Sequence, residues 1–138
     1  MEKTLVLVKP DAFKAHHTGD IIKIYEQNGL SLLAMRVMRM TPEVAAKHYA
    51  EHIGRPYYAE LETFMTSGPI VAMVLAGEGA IQKVRDLNGK TDPKEAAEGT
   101  IRKLYAASKG ENAVHASDSP ESAAREIHIF FNETEIFD

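Results

Sequence analysis

Apolar runs alternate with amphipathic segments along this chain, and together they predict four strands and five helices. Two continuous apolar runs that contain β-branched residues, Thr4–Val8 and Ile70–Ala76, are typical of strands buried on both faces. In Leu30–Met40 the apolar residues alternate around Arg36, which predicts a half-buried strand. The short apolar run Ile127–Phe131 is predicted to be the last strand.

Helices are predicted between these strands from their termini and from apolar spacing. The five predicted helices span residues 19–28, 41–51, 57–65, 79–87 and 119–126. Thr41 and Pro42 fit an N-cap and a first helical position, and Asp118 with Glu121 fits a capping box. The segment 88–118 has weak periodicity, and long segments of this kind are often functional.

The order of these elements is a βαββαβ pattern with insertions, which predicts an α+β, ferredoxin-like fold. We expect a four-stranded antiparallel sheet with helices packed on one face. The length of 138 residues fits a single domain that spans residues 1–138. This fold supports many functions, so the function depends on the residues of the site.

Composition narrows the class of protein. Hydrophobic residues make up 44% and charged residues 26% of the chain, which is typical of a globular protein rather than a disordered one. There is no cysteine, so disulfides and thiolate metal sites are excluded. The net charge of −4 argues against a nonspecific DNA-coating protein but leaves room for a small basic pocket. We find no secretory signal and no membrane-length apolar run, so we expect a cytoplasmic protein with no membrane partner.

The strongest candidate chemistry lies around His115, just before the predicted helix at residues 119–126. A helix N-terminus favours phosphate, and a neutral imidazole is a competent nucleophile. Such a histidine needs a hydrogen-bonded partner, and Glu126 could reach back to it along the helix. The alternative interpretation is that His115 is structural and that Asp118 and Ser119 only cap the helix.

Basic residues elsewhere suit a phosphate site if the fold brings them together. Lys9 follows the first strand, and Arg85 and Arg102 flank the long segment, with Thr91 between them. Arginine can bind phosphate through two hydrogen bonds, and lysine acts as a point charge. Taken singly, each of these is more often a solvated surface residue.

Several other catalytic classes do not fit. The serine, histidine and acid around His115 could suggest a hydrolase triad, but triads combine residues distant in sequence, and no Gly-x-Ser-x-Gly motif is present. There is no P-loop and no protein-kinase signature.

The remaining histidines offer only weak signals. His48 and His52 lie four residues apart and could share a metal, but they are not a His-Glu-x-x-His pattern and no third ligand is evident. His16 and His17 are expected in solvent. His128, inside the predicted last strand, is expected to face the opposite side of the sheet.

Taken together, the motifs resemble one family. Asn112-x-x-His115-x-Ser117-Asp118, with Lys9-Pro10-Asp11 near the start, resembles the nucleoside diphosphate kinase family. Further matches occur in order at Arg55-Pro56, Ser67-Gly68-Pro69, Asn88-Gly89-x-Thr91 and Gly99-Thr100-Ile101-Arg102. The likeness covers essentially the whole chain.

The resemblance implies an activity and a catalytic group. The chain would transfer the terminal phosphoryl group of a nucleoside triphosphate, typically ATP, to a nucleoside diphosphate. The route would be ping-pong through a phosphohistidine on His115, with broad tolerance of base and sugar. Glu126 would orient the imidazole, Ser117 would support the site, and Tyr49 would frame the histidine.

The resemblance also implies how the nucleotide is held. Lys9 would contact the sugar hydroxyl and phosphate oxygens, and Asn112 would contact the sugar. The phosphates would be held by Arg85, Thr91 and Arg102, with His52 close by. Tyr57 would stack on the base, and Leu61 is expected at the same nucleotide site. Mg²⁺ would arrive on the nucleotide phosphates, with no residue expected to hold it directly.

Three departures from the family pattern stand out. Tyr57 replaces the usual phenylalanine, and it can still stack. Ala116 replaces the usual glycine after the histidine, which would add strain if that position had a positive φ. Lys103-Leu104-Tyr105 replaces the commoner Gly or Ala, Asp, Phe and could alter loop packing or subunit contacts.

The resemblance further implies a homo-oligomer. We expect a dimer or a tetramer, because the chain lacks the longer tail of the hexameric members. Two competing hypotheses are an RNA-binding module and an inactive scaffold. The first lacks the aromatic RNA-binding motif and is net acidic, so no specific nucleic acid is expected. The second would usually have lost His115.

Overall fold

The computed structural model describes residues 1–138 and contains one four-stranded sheet. The strands are β1 (Glu2–Val8), β2 (Ser31–Arg39), β3 (Pro69–Gly77) and β4 (Val114–Ala116). The helices are α1 (Pro10–Lys14), α2 (Thr18–Gln27), α3 (Pro42–His48), α4 (Tyr58–Met65), α5 (Ala80–Asn88), α6 (Ile101–Tyr105) and α7 (Pro120–Phe130). Short 3-10 turns occur at Ala50–His52 and Glu133–Glu135. None of the helices is both long and apolar enough to cross a membrane.

The sheet has the strand order β2-β3-β1-β4, and every neighbouring pair is antiparallel. This confirms the predicted α+β, ferredoxin-like arrangement. The two long central strands, β1 and β3, pair in register with Leu5 opposite Val74. Both strands are buried over nearly their whole length, as their continuous apolar sequences predict.

Helices cover both faces of this sheet, so the expectation of helices on one face was wrong. Leu5 and Leu7 point to one face, here called face one, where they pack with α3, α4 and α7. Val6 and Val8 point to face two, where they pack with α1, α2, α5 and α6. Successive strand side chains alternate between faces, so a continuous apolar strand requires cover on both sides.

The predicted last strand at Ile127–Phe131 was also wrong, because α7 continues through it to Phe130. Ala123, Ile127 and Phe130 are spaced by four and three residues, so they share one buried helix face. The fourth strand is instead β4, which lies inside the weakly periodic segment 88–118. Its three residues are too few to show a strand period.

Two predictions about α7 were also wrong, and the predicted N-cap of α3 was confirmed. His128 lies on α7, exposed, with Nε2 2.7 Å from the Glu133 carboxylate, so it faces no side of the sheet. The N-cap of α7 is Ser119, whose hydroxyl accepts the Ser122 N–H, rather than Asp118. Thr41 does cap α3, accepting a backbone N–H at 3.1 Å.

Candidate active site

His115 occupies the middle of β4, directly opposite Leu7 of β1. Val114 and Ala116 on either side are buried on face two, so the His115 side chain points to face one. The strand begins from a tight turn centred on Ala113, whose φ is 73°. That turn is closed by the Val114 N–H donating to the Asn112 carbonyl at 2.9 Å.

Glu126 of α7 orients the imidazole of His115. Its Oε1 lies 2.9 Å from His115 Nε2 and accepts the Ser117 hydroxyl at 2.8 Å. Burial raises the pKa of Glu126, but the hydrogen bond and charge of His115 outweigh burial and hold that pKa below its ordinary value. An ionised carboxylate can only accept, so Nε2 carries the ring proton. In the neutral form of the ring, Nδ1 is therefore the nitrogen without a proton.

A second histidine, His48 at the end of α3, packs edge-on against His115. The ring centroids are 4.6 Å apart with an interplanar angle of 81°. His48 is only 4% exposed, and neither of its ring nitrogens has a hydrogen-bond partner. Burial, with the neighbouring His115, lowers the pKa of His48 to about 3, so its imidazole is neutral at physiological pH.

Sequence reasoning missed His48 as a neighbour of His115 and paired it instead with His52. The two are not on one helix, since α3 ends at His48 and His52 lies in the following 3-10 turn. His52 Nδ1 lies 2.5 Å from the Tyr57 hydroxyl. Tyr49, the next residue after His48, is buried with its ring 4.5 Å from that of His48, and burial raises its pKa.

An open cleft of about 780 Å³ lies in front of His115. Seven of the twelve residues predicted for the site line it: Tyr49, His52, Arg85, Thr91, Arg102, His115 and Glu126. The histidine and its carboxylate partner are thus reached from the same cavity as the two predicted phosphate-binding arginines. The cavity is large enough for a ligand of nucleotide size.

Lys9 and Asn112 connect the end of β1 to the turn before β4. Lys9 Nζ donates to Asn112 Oδ1 at 2.8 Å, and the Asn112 amide donates to the Thr91 carbonyl at 3.2 Å. Burial lowers the pKa of Lys9 to about 8; the charge of Arg102 adds to this, and Asp11 partly offsets it. The ammonium is therefore held near a second cation, Arg102, with Asp11 as a partial counter-charge.

Arg102 holds the backbone around the site in place and also contributes positive charge. Its guanidinium donates to three backbone carbonyls: Gly89 at 2.8 Å, Val114 at 2.8 Å and Asn112 at 3.3 Å. A guanidinium has five N–H donors, so two remain for a ligand. Burial lowers the pKa of Arg102, the neighbouring Tyr25 hydroxyl partly offsets this, and the charge of Arg85 lowers the pKa further. Arg102 and Arg85 both line the cleft, and Lys9 lies close enough to Arg102 for their charges to interact.

Tyr57, predicted to stack on the base, and Leu61, predicted at the nucleotide site, differ in their relation to the cleft. Tyr57 immediately precedes α4, is 47% exposed, and contacts His52 of the cleft. Leu61 lies one turn later, half-buried against the core of face one, and does not line the cleft. The structure therefore brings Tyr57 to the cleft margin but leaves Leu61 facing the core.

The sequence departures produce no strain at the histidine. Ala116 is not among the residues with positive φ, which besides glycines are His16 and Ala113, so alanine is accommodated there. Lys103-Leu104-Tyr105 ends α6, where Leu104 is exposed and the Tyr105 ring lies 4.5 Å from that of His17. His17 is therefore half-buried against Tyr105 rather than free in solvent.

The potential metal ligands of the site do not form an oxygen cage. One cluster of three such residues is present, His48, His115 and Glu126, whose ligand atoms all lie within 4.8 Å of one another. Mg²⁺ prefers six oxygen ligands, and two of these three donors are imidazole nitrogens. The donor set does not fit Mg²⁺ held by the chain itself.

A histidine paired with a carboxylate in a cleft lined by two arginines suits an enzyme that acts on phosphorylated substrates. The nucleoside diphosphate kinase family model matches residues 2–136, and the chain belongs to that family. It is accordingly a kinase that binds nucleotides, and the family generally uses a divalent cation.

Individual relatives agree along the whole chain. The nucleoside diphosphate kinases of Persephonella marina and Bacillus licheniformis are 52% and 51% identical over 136 residues, 99% of this chain and 97% and 92% of theirs. The Aquifex aeolicus nucleoside diphosphate kinase structure superposes with a TM-score of 0.96 at 47% identity, covering 98% of each chain. A Halobacterium salinarum nucleoside diphosphate kinase in complex with CDP superposes equally well at 42% identity, covering 99% of this chain and 91% of that one.

Proposed function

We propose that the chain carries the terminal phosphoryl group of a nucleoside triphosphate, typically ATP, to a nucleoside diphosphate through a phosphohistidine on His115. The single observation that supports this most directly is the hydrogen bond between His115 Nε2 and Glu126. It leaves the lone pair of Nδ1 free on a residue that lines an open cleft of nucleotide size. One nucleophile that accepts the phosphoryl group in the first half-reaction and gives it up in the second implies ping-pong kinetics.

The first half-reaction forms a bond between Nδ1 and the terminal phosphorus while the bond from that phosphorus to the bridging oxygen breaks. The bridging oxygen keeps the electron pair, and the nucleoside diphosphate leaves. The imidazole then gains positive character, which the ionised Glu126 stabilises through Nε2–H. In the second half-reaction a terminal oxygen of another diphosphate attacks the same phosphorus, and Nδ1 regains its lone pair.

Charge around the phosphates would come from the converging cations. Phosphoryl transfer has a loose transition state, so positioning and charge stabilisation supply most of the catalysis. We assign phosphate contacts to Lys9, Arg85, Arg102 and Thr91, with His52 beside them. Mg²⁺ would enter on the nucleotide and neutralise phosphate charge, since the chain offers no oxygen cage for it.

Sugar and base would be held with little selectivity. Lys9 and Asn112, already hydrogen-bonded to each other, suit the sugar hydroxyls. Tyr57 would stack on the base, and every base offers a π-face, so broad base tolerance is expected. Leu61 could take part only by extending the apolar surface behind Tyr57. Ser117 and Tyr49 would hold Glu126 and His48 in place around the catalytic histidine.

We also propose that the whole chain, residues 1–138, acts as one kinase domain within a homodimer or homotetramer. The outer strand β2 exposes Met35 and Val37, which are 50% and 60% exposed and lie opposite Met73 and Val71 of β3. Exposed apolar side chains on an edge strand favour burial against another chain. Light scattering that gives a monomer mass at micromolar concentration would contradict this. A cytoplasmic location and the absence of membrane and specific nucleic-acid partners stay predictions.

The activity is tested with ATP, GDP and Mg²⁺ in a steady-state assay of GTP formation. Wild-type chain is expected to give parallel double-reciprocal lines when both substrates are varied, and His115→Asn is expected to give no GTP. Intersecting lines would exclude a ping-pong route. If neither nucleotide is turned over but RNA is retarded in a gel, the binding-module hypothesis would replace the enzyme.

A further inference from the structure

The most unusual feature next to His115 and Glu126 is a buried histidine whose ring makes no hydrogen bond. His48 is 4% exposed, and both of its ring nitrogens lack a hydrogen-bond partner. Buried polar groups are normally satisfied, and an unsatisfied one in a well-packed site needs an explanation. His48 is also one of the residues that line the cleft in front of His115.

The atoms around His48 form a set of metal ligands. One donor atom each from His48, His115 and Glu126 lies within 4.8 Å of the others. Two imidazoles and one carboxylate, with a fourth position open to water, are the ligands of many accessible zinc sites in proteins. The same set is a poor choice for Mg²⁺, which prefers oxygen.

We propose that His48, His115 and Glu126 form a Zn²⁺ site at the base of the cleft, and that the bound ion stops phosphorylation of His115. The ion is bound by the resting chain, without nucleotide. Its binding is independent of the proposed function, whereas the inhibition rests on it.

The distances require only small side-chain movements. Ligands about 2.1 Å from a tetrahedral Zn²⁺ are about 3.4 Å from one another. His115 Nε2 and Glu126 Oε1 are 2.9 Å apart, and all three donor atoms lie within 4.8 Å of one another, so no pair has to close by more than about 1.4 Å. The three residues come from α3, β4 and α7, which are packed on the sheet and hold the donors in place.

A second layer of contacts supports the ligands. Ser117 donates to Glu126 Oε1 at 2.8 Å, and Arg125 lies 3.6 Å from Oε2. Hydrogen bonds of this kind orient metal-binding carboxylates and tune their affinity. Because the site has only three protein ligands and a cation nearby, we expect weaker binding than at a closed structural zinc site.

The inhibition follows from the single proton and the single lone pair that the neutral His115 imidazole carries on its two nitrogens. A neutral imidazole has one N–H and one lone pair. Glu126 lies beside Nε2, so a Zn²⁺ ion shared by the two residues binds Nε2. The ring proton then moves through water to Nδ1, and the lone pair there is lost. His115 is left without the electrons that attack phosphorus.

The test is a calorimetric titration of Zn²⁺ alone into the full chain without nucleotide. His128→Phe is the matched control, because it removes an exposed histidine that also contacts a carboxylate. Wild type and His128→Phe should bind a single Zn²⁺ per chain with equal affinity. His48→Phe should bind it more weakly by over about 10-fold, since even an outer partner of a metal ligand contributes that much. Equal affinity in all three, or no stoichiometric binding to wild type, would overturn the site.

Chemical footprinting of the wild-type chain tests the same site if His48→Phe does not fold. Diethyl pyrocarbonate modifies accessible imidazoles, and peptide mass spectrometry locates the product. Zn²⁺ should protect His115 while His128 stays reactive. Equal modification of His115 with and without Zn²⁺ would overturn the proposal.

The inhibition is measured separately, as phosphorylation by ATP in excess Mg²⁺ over a Zn²⁺ series. The zinc concentration for half-inhibition should be over about 10-fold higher for His48→Phe than for His128→Phe. Equal sensitivity would contradict inhibition through this site. If the chain is active but binds no Zn²⁺, only the zinc site is contradicted. If the chain binds Zn²⁺ but His115 is not phosphorylated, only the proposed function is contradicted.

Discussion

Glu126 Oε1 lies 2.9 Å from His115 Nε2, and this contact fixes both the orientation of the imidazole and the position of its proton. Three elements produce it. Strand β4 points His115 to face one, α7 brings Glu126 over that face, and the Ser117 hydroxyl holds the same carboxylate oxygen. The nucleophilic nitrogen is selected by this contact rather than by the ring alone.

Glu126→Gln removes the charge from this contact and keeps its shape. We expect the rate of His115 phosphorylation to fall roughly 100-fold, the loss typical of one preorganised stabilising group, because the phosphorylated imidazole loses its counter-charge. ADP affinity should change little, since Glu126 holds no phosphate. Rapid-quench measurement of phosphoenzyme formation tests this, with Glu121→Gln on the exposed side of the same helix as control. An undiminished rate in Glu126→Gln would contradict the assigned role.

Nucleotide affinity should fall as pH rises through about 8. Burial lowers the pKa of Lys9 to about 8, so its ammonium charge is present below that pH and lost above it. Phosphate binding favours the charged form, and the Kd for ADP should therefore rise progressively from pH 7 to pH 9.5. Calorimetry on wild type and Lys9→Gln checks this. The variant should bind weakly with a flat profile, and an equal slope in both chains would assign the pH dependence to another group.

Stacking on Tyr57 predicts a loss that does not depend on the base. Tyr57→Ala should weaken binding of ADP and GDP alike by about 1–3 kcal/mol, the usual contribution of one stacked aromatic residue. Tyr57→Phe keeps the ring and removes only the hydroxyl that contacts His52, so it should bind as wild type does. Fluorescence titration with ADP and with GDP measures these affinities. Unchanged binding by Tyr57→Ala would place the base elsewhere.

Ala116 should be the better residue at its position, although relatives of the family usually have glycine there. It lies in β4 opposite Val6, is nearly buried, and has no positive φ. Glycine in a strand is destabilising by roughly 0.5–1 kcal/mol relative to alanine. Ala116→Gly should therefore lower the free energy of unfolding in urea by that amount while turnover stays similar. A more stable Ala116→Gly variant would show that alanine is strained.

The central part of the fold follows from sequence because its signals are local. The apolar runs of β1 and β3 mark strands buried on both faces, and Thr41 with Pro42 marks the start of α3. Those runs also required helices on both faces, a consequence that the sequence-based prediction did not draw. The alternation of burial along a central strand carries that information.

The C-terminal part was mispredicted because short signals are ambiguous. Ile127–Phe131 is apolar and β-branched enough for a strand, but its residues continue the helical spacing from Ala123. The true fourth strand, β4, has three residues and depends on pairing with β1 rather than on its own pattern. Only tertiary contacts could identify it.

The site was predictable where its residues are close in sequence or part of a recognisable motif. His115, Ser117 and Glu126 fall within 12 positions, and the structure joins them directly. Lys9 and Asn112 are 103 positions apart, so their contact needed the fold. His48 was not predicted beside His115, because nothing in its sequence surroundings indicates that α3 ends against β4.

The central claim is that His115 carries the phosphoryl group, and intact-mass measurement tests it most directly. The chain is mixed with ATP and Mg²⁺, and then with GDP, beside His115→Ala. We expect wild type to gain one phosphoryl group that is acid-labile and that disappears on addition of GDP as GTP forms, while the variant gains none. A wild-type chain that forms GTP without ever carrying the phosphoryl group, or a His115→Ala chain that still carries it, would contradict the account.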